Sequence, residues 1–219
     1  KGIVKVSPRT GWDIAFRTKK ITSSILINDG NGVALYTYPK SDTTGWMTMD
    51  TTGLFSWTPM YNDPQNWENG AFGRNATSGF DYGWGIYNMA THNLTGDSLY
   101  IIKLPQGSGF IYKKLWMVSK KSAANIYRFR YANLDNTNFR EVDLDLNPYI
   151  SADFYGYSLL TDQGVNYQPD KASWDILFTK YMSVQPNGTP YIVVGVLNND
   201  TVSTKKFHPV APGYNDFGA

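Results

Sequence analysis

The chain has 219 residues and carries 20 Lys and Arg against 18 Asp and Glu, a formal net charge of +2 that gives no reason to expect nucleic acid or an anionic membrane as partner. Cysteine is absent, which excludes disulfide frameworks, cysteine-ligated zinc, iron–sulfur clusters and thiol catalysis. Hydrophobic residues make up 42% and aromatic residues 16%, enough for a packed core, while a low 17% charged content leaves room for the Tyr, Gly, Asn and Thr that suit strands and tight turns.

In chain order, strand signals dominate. In GWDIAF (11–16), Trp12, Ile14 and Phe16 alternate with Asp13, Ala15 and Arg17, the period of a half-buried strand. ITSSILINDGNGVALYTY (21–38) reads as a hairpin turning at Asp29-Gly30 and Asn31-Gly32. Segment 41–92 reads as irregular, yet it holds four of the seven tryptophans (Trp46, Trp57, Trp67, Trp84) and four of the six methionines (Met47, Met49, Met60, Met89). Such side chains must find a dry place, either capping a sheet or lining a pocket. SLYIIKLPQGSGFIYKKLWMVSK (98–120) is the clearest predicted hairpin. IYRFRYAN (126–133) alternates Tyr127, Phe129 and Tyr131 with Arg128 and Arg130, and REVDLDL (140–146) alternates Val142, Leu144 and Leu146 with acids. No stretch shows a capped helical period, and no run of about 18 apolar residues predicts a transmembrane helix. The expected fold is therefore all-β with antiparallel sheets, long irregular loops and little helix.

The opening motif returns as SWDILF (173–178). The likeness extends upstream, with Gly2 and Gly164 each ten residues before the tryptophan and Pro8 or Pro169 shortly before it. It extends downstream into the apolar stretches 21–28 and 189–200. FYGYSLLTDQ (154–163) precedes the second copy only, and the long hairpin follows the first only. This predicts a unit over 1–133 that lacks its first strands and a partial second repeat over 134–219. Two arrangements fit: a fragment of a longer two-unit protein, or one body in which late strands complete the early unit.

Read in order, FYGYSLLTDQGVNYQP, SWDILF, SLYIIKLPQGSGFIYKKLW and YRFRYAN resemble the HmuY family of secreted or lipid-anchored haem-binding proteins of Bacteroidetes. The resemblance covers nearly the whole chain and rests on the order of the motifs, each an ordinary β pattern by itself. It implies an HmuY-like all-β fold that holds haem non-covalently between loops for iron acquisition. It also implies a secreted or outer-membrane-attached bacterial location, with host haemoproteins or an outer-membrane receptor as partners.

Haem iron takes imidazole, thioether, thiolate or phenolate ligands. With only His92 and His208 present, a paired-histidine site within one copy is not available. The candidates are therefore Met47, Met49, Met60 and His92, with Trp46, Trp57, Trp67, Trp84 and Tyr61 as candidate pocket lining. Each Met could equally be a core gap-filler, and His92 an ordinary turn residue before Asn93. The same aromatic residues admit a second reading, a glycan-binding or purely structural surface module. Asp13 and Asp175 could form the carboxylate pair of a glycosidase, but each occupies the same slot of a repeated strand, where a structural hydrogen bond or a pairing with Arg17 serves better. No HExxH, GxSxG or phosphate-cradling loop occurs, so no enzyme is expected.

Overall fold

The computed structural model describes residues 6–66, 68–77 and 79–203. Thirteen strands run in chain order among them: β1 Ile14–Arg17, β2 Ile25–Ile27, β3 Ala34–Thr37, β4 Gly85–Asn88, β5 Asn93–Gly96, β6 Leu99–Gln106, β7 Gly109–Lys121, β8 Ile126–Asn133, β9 Arg140–Asp145, β10 Phe154–Ser158, β11 Gln163–Val165, β12 Ile176–Val184 and β13 Pro190–Asn198. Every strand pairing is antiparallel, and helix among the described residues is limited to short 3-10 turns.

The strands form two sheets and a separate hairpin. The first sheet has the order β11-β10-β1-β2. In the second, β7 is the spine: β6 and β5 lie along one edge and β8 along the other, with β3, β4 and β9 outside them. The facing side chains of the two sheets share one core. Ile14, Phe16, Ile25, Ile27, Tyr155 and Tyr157 meet Tyr100, Ile102, Leu115, Tyr127, Phe129 and Tyr131. Phe16 lies at its centre, with its ring centroid 4.9 Å from Tyr127 and 5.3 Å from Phe129. The alternation in 126–133 and 140–146 does what a pleated strand requires: Tyr127, Phe129, Leu144 and Leu146 are buried, while Arg128–Asp143 and Arg130–Glu141 pair across the opposite face.

Two local expectations need correction. Segment 21–38 is not a hairpin, because β2 pairs with β1 and β3 pairs with β6 in the other sheet. A 3-10 turn over Asp29–Asn31, closed by Gly32 at φ 89°, turns the chain through a corner from one sheet to the other. Trp12 also leaves the expected alternation. It stacks on Tyr167 at 4.7 Å, on the side of Ala15, Leu26 and Phe154, away from Ile14 and Phe16.

The repeated motif is a repeated piece of structure. Asn28 donates through Nδ2 to the carbonyls of Arg9 (2.8 Å) and Trp12 (2.9 Å), and its N–H donates to Asp13 O at 2.9 Å. Asn199 makes the same three bonds in the second copy, to Lys171 (2.8 Å), Trp174 (2.9 Å) and Asp175 (2.8 Å). Each asparagine thus ties the end of the returning strand to the turn that enters the motif strand. What surrounds the two copies differs. β9 and β10, which follow residue 133, are built into the sheets of the first copy, β10 pairing along β1 with Ile14 opposite Tyr157 and Phe16 opposite Tyr155. The second copy, β12 with β13, stands as a two-stranded ribbon. Ile14 and Phe16 are 0% exposed, whereas their counterparts Ile176 and Phe178 are 48% and 75% exposed.

The same residue at the same motif position should therefore carry very different weight. Phe16→Ala is expected to cost about 3–5 kcal/mol, while Phe178→Ala should stay within about 0.5 kcal/mol of the parent. Urea denaturation of the two variants measures both, and equal losses would contradict the burial difference.

Candidate functional site

Two of the concave regions outside the core are lined by several aromatic or other apolar side chains. The first is built by the β4–β5 hairpin. Asn88 Oδ1 accepts from the N–H groups of Ala90 (2.9 Å) and Thr91 (3.0 Å), and His92 N–H donates to Asn88 O at 2.8 Å. This closes the turn with His92 in the left-handed region at φ 57°, a conformation that few side chains adopt and in which His, Asn and Asp are enriched. The imidazole is oriented by Tyr87, whose hydroxyl lies 2.6 Å from Nδ1. Tyr87 lies parallel to Phe80 (6.4 Å, 6°) and tilted against Tyr82 (6.1 Å). Together with Ile21 and Leu94, these residues line a pocket of about 320 Å³. Ile21 is 90% exposed, an apolar side chain held at the rim with little cover of its own.

The floor of this pocket is fixed from below. Lys120 is fully buried, donates to Lys19 O at 3.2 Å and to Thr22 O, and lies 4.9 Å from the centroid of the Tyr127 ring. Burial pushes its ammonium down to about 7. The lysine thereby ties the 19–22 turn, which carries Ile21, to β7. Trp84, 1% exposed, donates from Nε1 to Ser23 O at 3.0 Å and holds the next residues of the same segment.

The second region is a cavity of about 310 Å³ between the first sheet and the β12–β13 ribbon, bordered by Trp12, Leu26, Asp29, Tyr167, Leu177 and Met182. The ribbon is seated here against the 3-10 turn. Asp29 accepts backbone N–H bonds from Asn62 (3.2 Å) and Met182. A Cβ on Gly30 would lie 1.9 Å from the Lys180 carbonyl, so only glycine permits this approach. Burial pushes the Asp29 carboxyl up to about 6, against the opposing backbone bonds.

The candidate residues of segment 41–92 fall in separate places. Met60 is 9% exposed in the main core, and its Sδ accepts from Thr37 Oγ1 at 3.5 Å. Trp84 also belongs to the core, and Tyr61 is half-buried at its margin. Trp46 is buried in a second cluster with Tyr38, Leu99 and Ala132, against which Met49 and Trp57 pack. The Lys114 ammonium lies 4.3 Å from the Trp46 ring centroid, so this ring presents no open face. Met47 is 64% exposed. Trp67 and His208 lie outside the described residues. Of the four iron-ligand candidates, Met60 also borders a concavity whose one aromatic ring is Tyr61, and His92 lines the pocket that holds Phe80, Tyr82 and Tyr87. Asp13, by contrast, accepts from Leu159 N–H (2.7 Å) and Ser158 Oγ (3.2 Å), a strand-end bond rather than a pairing with Arg17. Sequence reading did not single out Ile21, Phe80, Tyr82, Tyr87 or Lys120. The run FDYGWGIY (80–87) just before His92 is a signal that could have pointed there. Among the described residues, no three His, Asp or Glu are grouped to hold a bare metal ion. No family model, curated protein or solved structure matches the chain.

The Asp29 seat makes stability depend on pH. Because the folded carboxyl titrates near 6 and the unfolded one near 3.8, its contribution is fully present below about pH 3.8 and is lost as the pH rises through 6. This group alone should make the protein about 1 kcal/mol more stable at pH 5 than at pH 7. Parallel urea titrations of the parent and Asp29→Asn at the two pH values should show that difference shrinking in the variant. An unchanged difference would assign it to other groups.

Proposed function

We propose that the protein binds haem or a related porphyrin non-covalently at the β4–β5 pocket, where His92 would hold the iron. The observation that supports this is the His92–Tyr87 pair beside Phe80 and Tyr82. The contact has no fixed direction in itself; in the tautomer whose Nδ1–H donates to the tyrosine oxygen, the imidazole keeps its lone pair on Nε2, the nitrogen that among the described residues has no protein partner. Fixing the ring through its other nitrogen is how ligating histidines are usually oriented. Aromatic side chains and Ile21 supply the apolar contact a porphyrin face needs. The bound group would supply iron coordination and its own redox chemistry. The chain's contribution is to orient His92, offer rings for stacking and keep the rim apolar.

This reading makes the protein a bacterial surface or secreted module for iron acquisition, passing its ligand to an outer-membrane receptor. The open pocket, with Ile21 and Phe80 exposed at its rim, suits capture and release better than permanent enclosure.

Titrating the purified chain with haemin, under oxidising and reducing conditions, tests the proposal. The expected result is a shifted Soret band that His92→Ala weakens at least about tenfold in affinity, with Met47→Ala and Met49→Ala unchanged. No Soret shift in either state, or a shift that His92→Ala leaves intact, would remove the assignment.

A further inference from the structure

The two copies of the motif differ in how their outermost strand ends the sheet. In the first copy this strand is β2, only three residues long, and its outward main chain is covered. Asn62 accepts from Ile27 N–H at 3.0 Å and donates to Ile27 O at 2.7 Å. Gly70 presses so closely on the Ile25 carbonyl that a Cβ there would stand 2.1 Å from the oxygen.

In the second copy the equivalent strand is β13, nine residues long with the sequence PYIVVGVLN and no charged side chain. The bonds Gln185 N–H to Thr189 O (3.0 Å) and Asn199 N–H to Asp175 O (2.8 Å) bracket the ribbon and set its alternation. Residues 191, 193, 195 and 197 exchange bonds with β12, and the main chain of Ile192, Val194 and Val196 faces the outer edge. Among the described residues no strand pairs with that edge. The side chains of the same three residues are 52%, 77% and 51% exposed. Past Pro190 the strand, among the described residues, lacks the devices that keep sheet edges apart: short length, a lysine, a bulge or a covering loop. β12 is different, since its own outer edge sits on Asp29 and Gly30.

We propose that β13 is a self-association edge and that its occupant is β13 of a second copy, paired antiparallel about a twofold axis at Val194. An antiparallel strand pair is self-complementary, so the same residues serve both partners. Ile192 would lie opposite Val196 of the second copy, and Val194 opposite itself, with about six main-chain hydrogen bonds. The uncharged strand brings no like charges together. The joined ribbon becomes a four-stranded sheet whose exposed face bears Phe178, Val194 and Val196 from each copy, with Lys180 opposite Val194 on the same face. Association through this edge closes at two, because the twofold pairing uses β13 of both copies and the outer edge of β12 sits on Asp29 and Gly30.

Sedimentation velocity of the whole chain over a concentration series tests this. A dimer with a dissociation constant of about 10 µM or tighter is expected. Val194→Pro removes only an outward N–H and leaves the bonds to β12, so it should give a folded monomer, and Val194→Lys should do the same by charge. Phe178→Lys, on the ribbon face but away from the β13 edge, should remain dimeric. Far-UV circular dichroism and a cooperative urea transition confirm folding of each variant. A monomer at every concentration, a species larger than a dimer, a dimer that survives both Val194 changes, or one dissolved by Phe178→Lys would each overturn the proposal.

Discussion

Arg17 is the charge around which the rest of the structure is arranged. It ends β1 with its side chain 0% exposed, and a buried guanidinium is tolerable only when its charge and donors are met. Three carboxylates from distant parts of the chain meet its charge, while Nη1 makes no hydrogen bond among the described residues. Nε lies 3.0 Å from Glu68 in the irregular segment, Nη1 is 3.2 Å from Asp153 at the entry to β10, and Nη2 pairs with Asp200 just past β13. Phe154 lies under the guanidinium with its ring centroid at 5.1 Å. One side chain thus fixes where the loop, the late strand and the end of the ribbon come together. The anions do not share it equally. Burial holds the Asp153 carboxyl above its ordinary range despite Arg17, whereas at Asp200 burial is opposed by Arg17 and Lys19 together and the carboxyl is lowered.

The repeat shows how far local sequence determines structure. The asparagine clamp is the same in both copies, down to the three hydrogen bonds of Asn28 and Asn199, and each motif strand has an antiparallel return, although β12 and β13 run nine residues each against four in β1 and three in β2. Burial is not the same, because it depends on what the strand is packed against. β1 has β10 on one edge and the aromatic row of β8 across the core, whereas β12 has one partner strand and a cavity beside it. A strand that is a core element in one setting is an exposed ribbon in the other.

Much of the fold was legible in the sequence for that reason. The period of 126–133 and 140–146 and the turn of the long hairpin are local properties, and the strands lie where the pattern puts them. Partner choice is not local. Nothing in 21–38 distinguishes a hairpin from a corner between sheets; the difference lies in Asp29 and Asn62, which are 33 residues apart. The concentration of Trp and Met in 41–92 suggested one pocket, yet Met60 and Trp84 fill the core while Trp46 and Met49 fill a second cluster. A large apolar side chain in an irregular segment must be buried, but composition does not say on which side of a sheet. Of the candidate site, only His92 was visible beforehand, since its supports Tyr87 and Lys120 act through geometry that spacing does not encode.

The pocket and the ribbon edge both depend on this frame: Lys120 anchors the 19–22 turn directly after Arg17 and Thr18, and Asp200 anchors the end of the ribbon on Arg17 itself. The most direct measurement is therefore made at Arg17. Urea denaturation of Arg17→Met should show a loss of about 3–5 kcal/mol, because three carboxylates are left facing one another without their cation. Adding Asp153→Asn and Asp200→Asn to the same chain should recover most of that loss. A neutral Arg17→Met, or a loss that the two asparagines do not relieve, would show that the frame is held by something else.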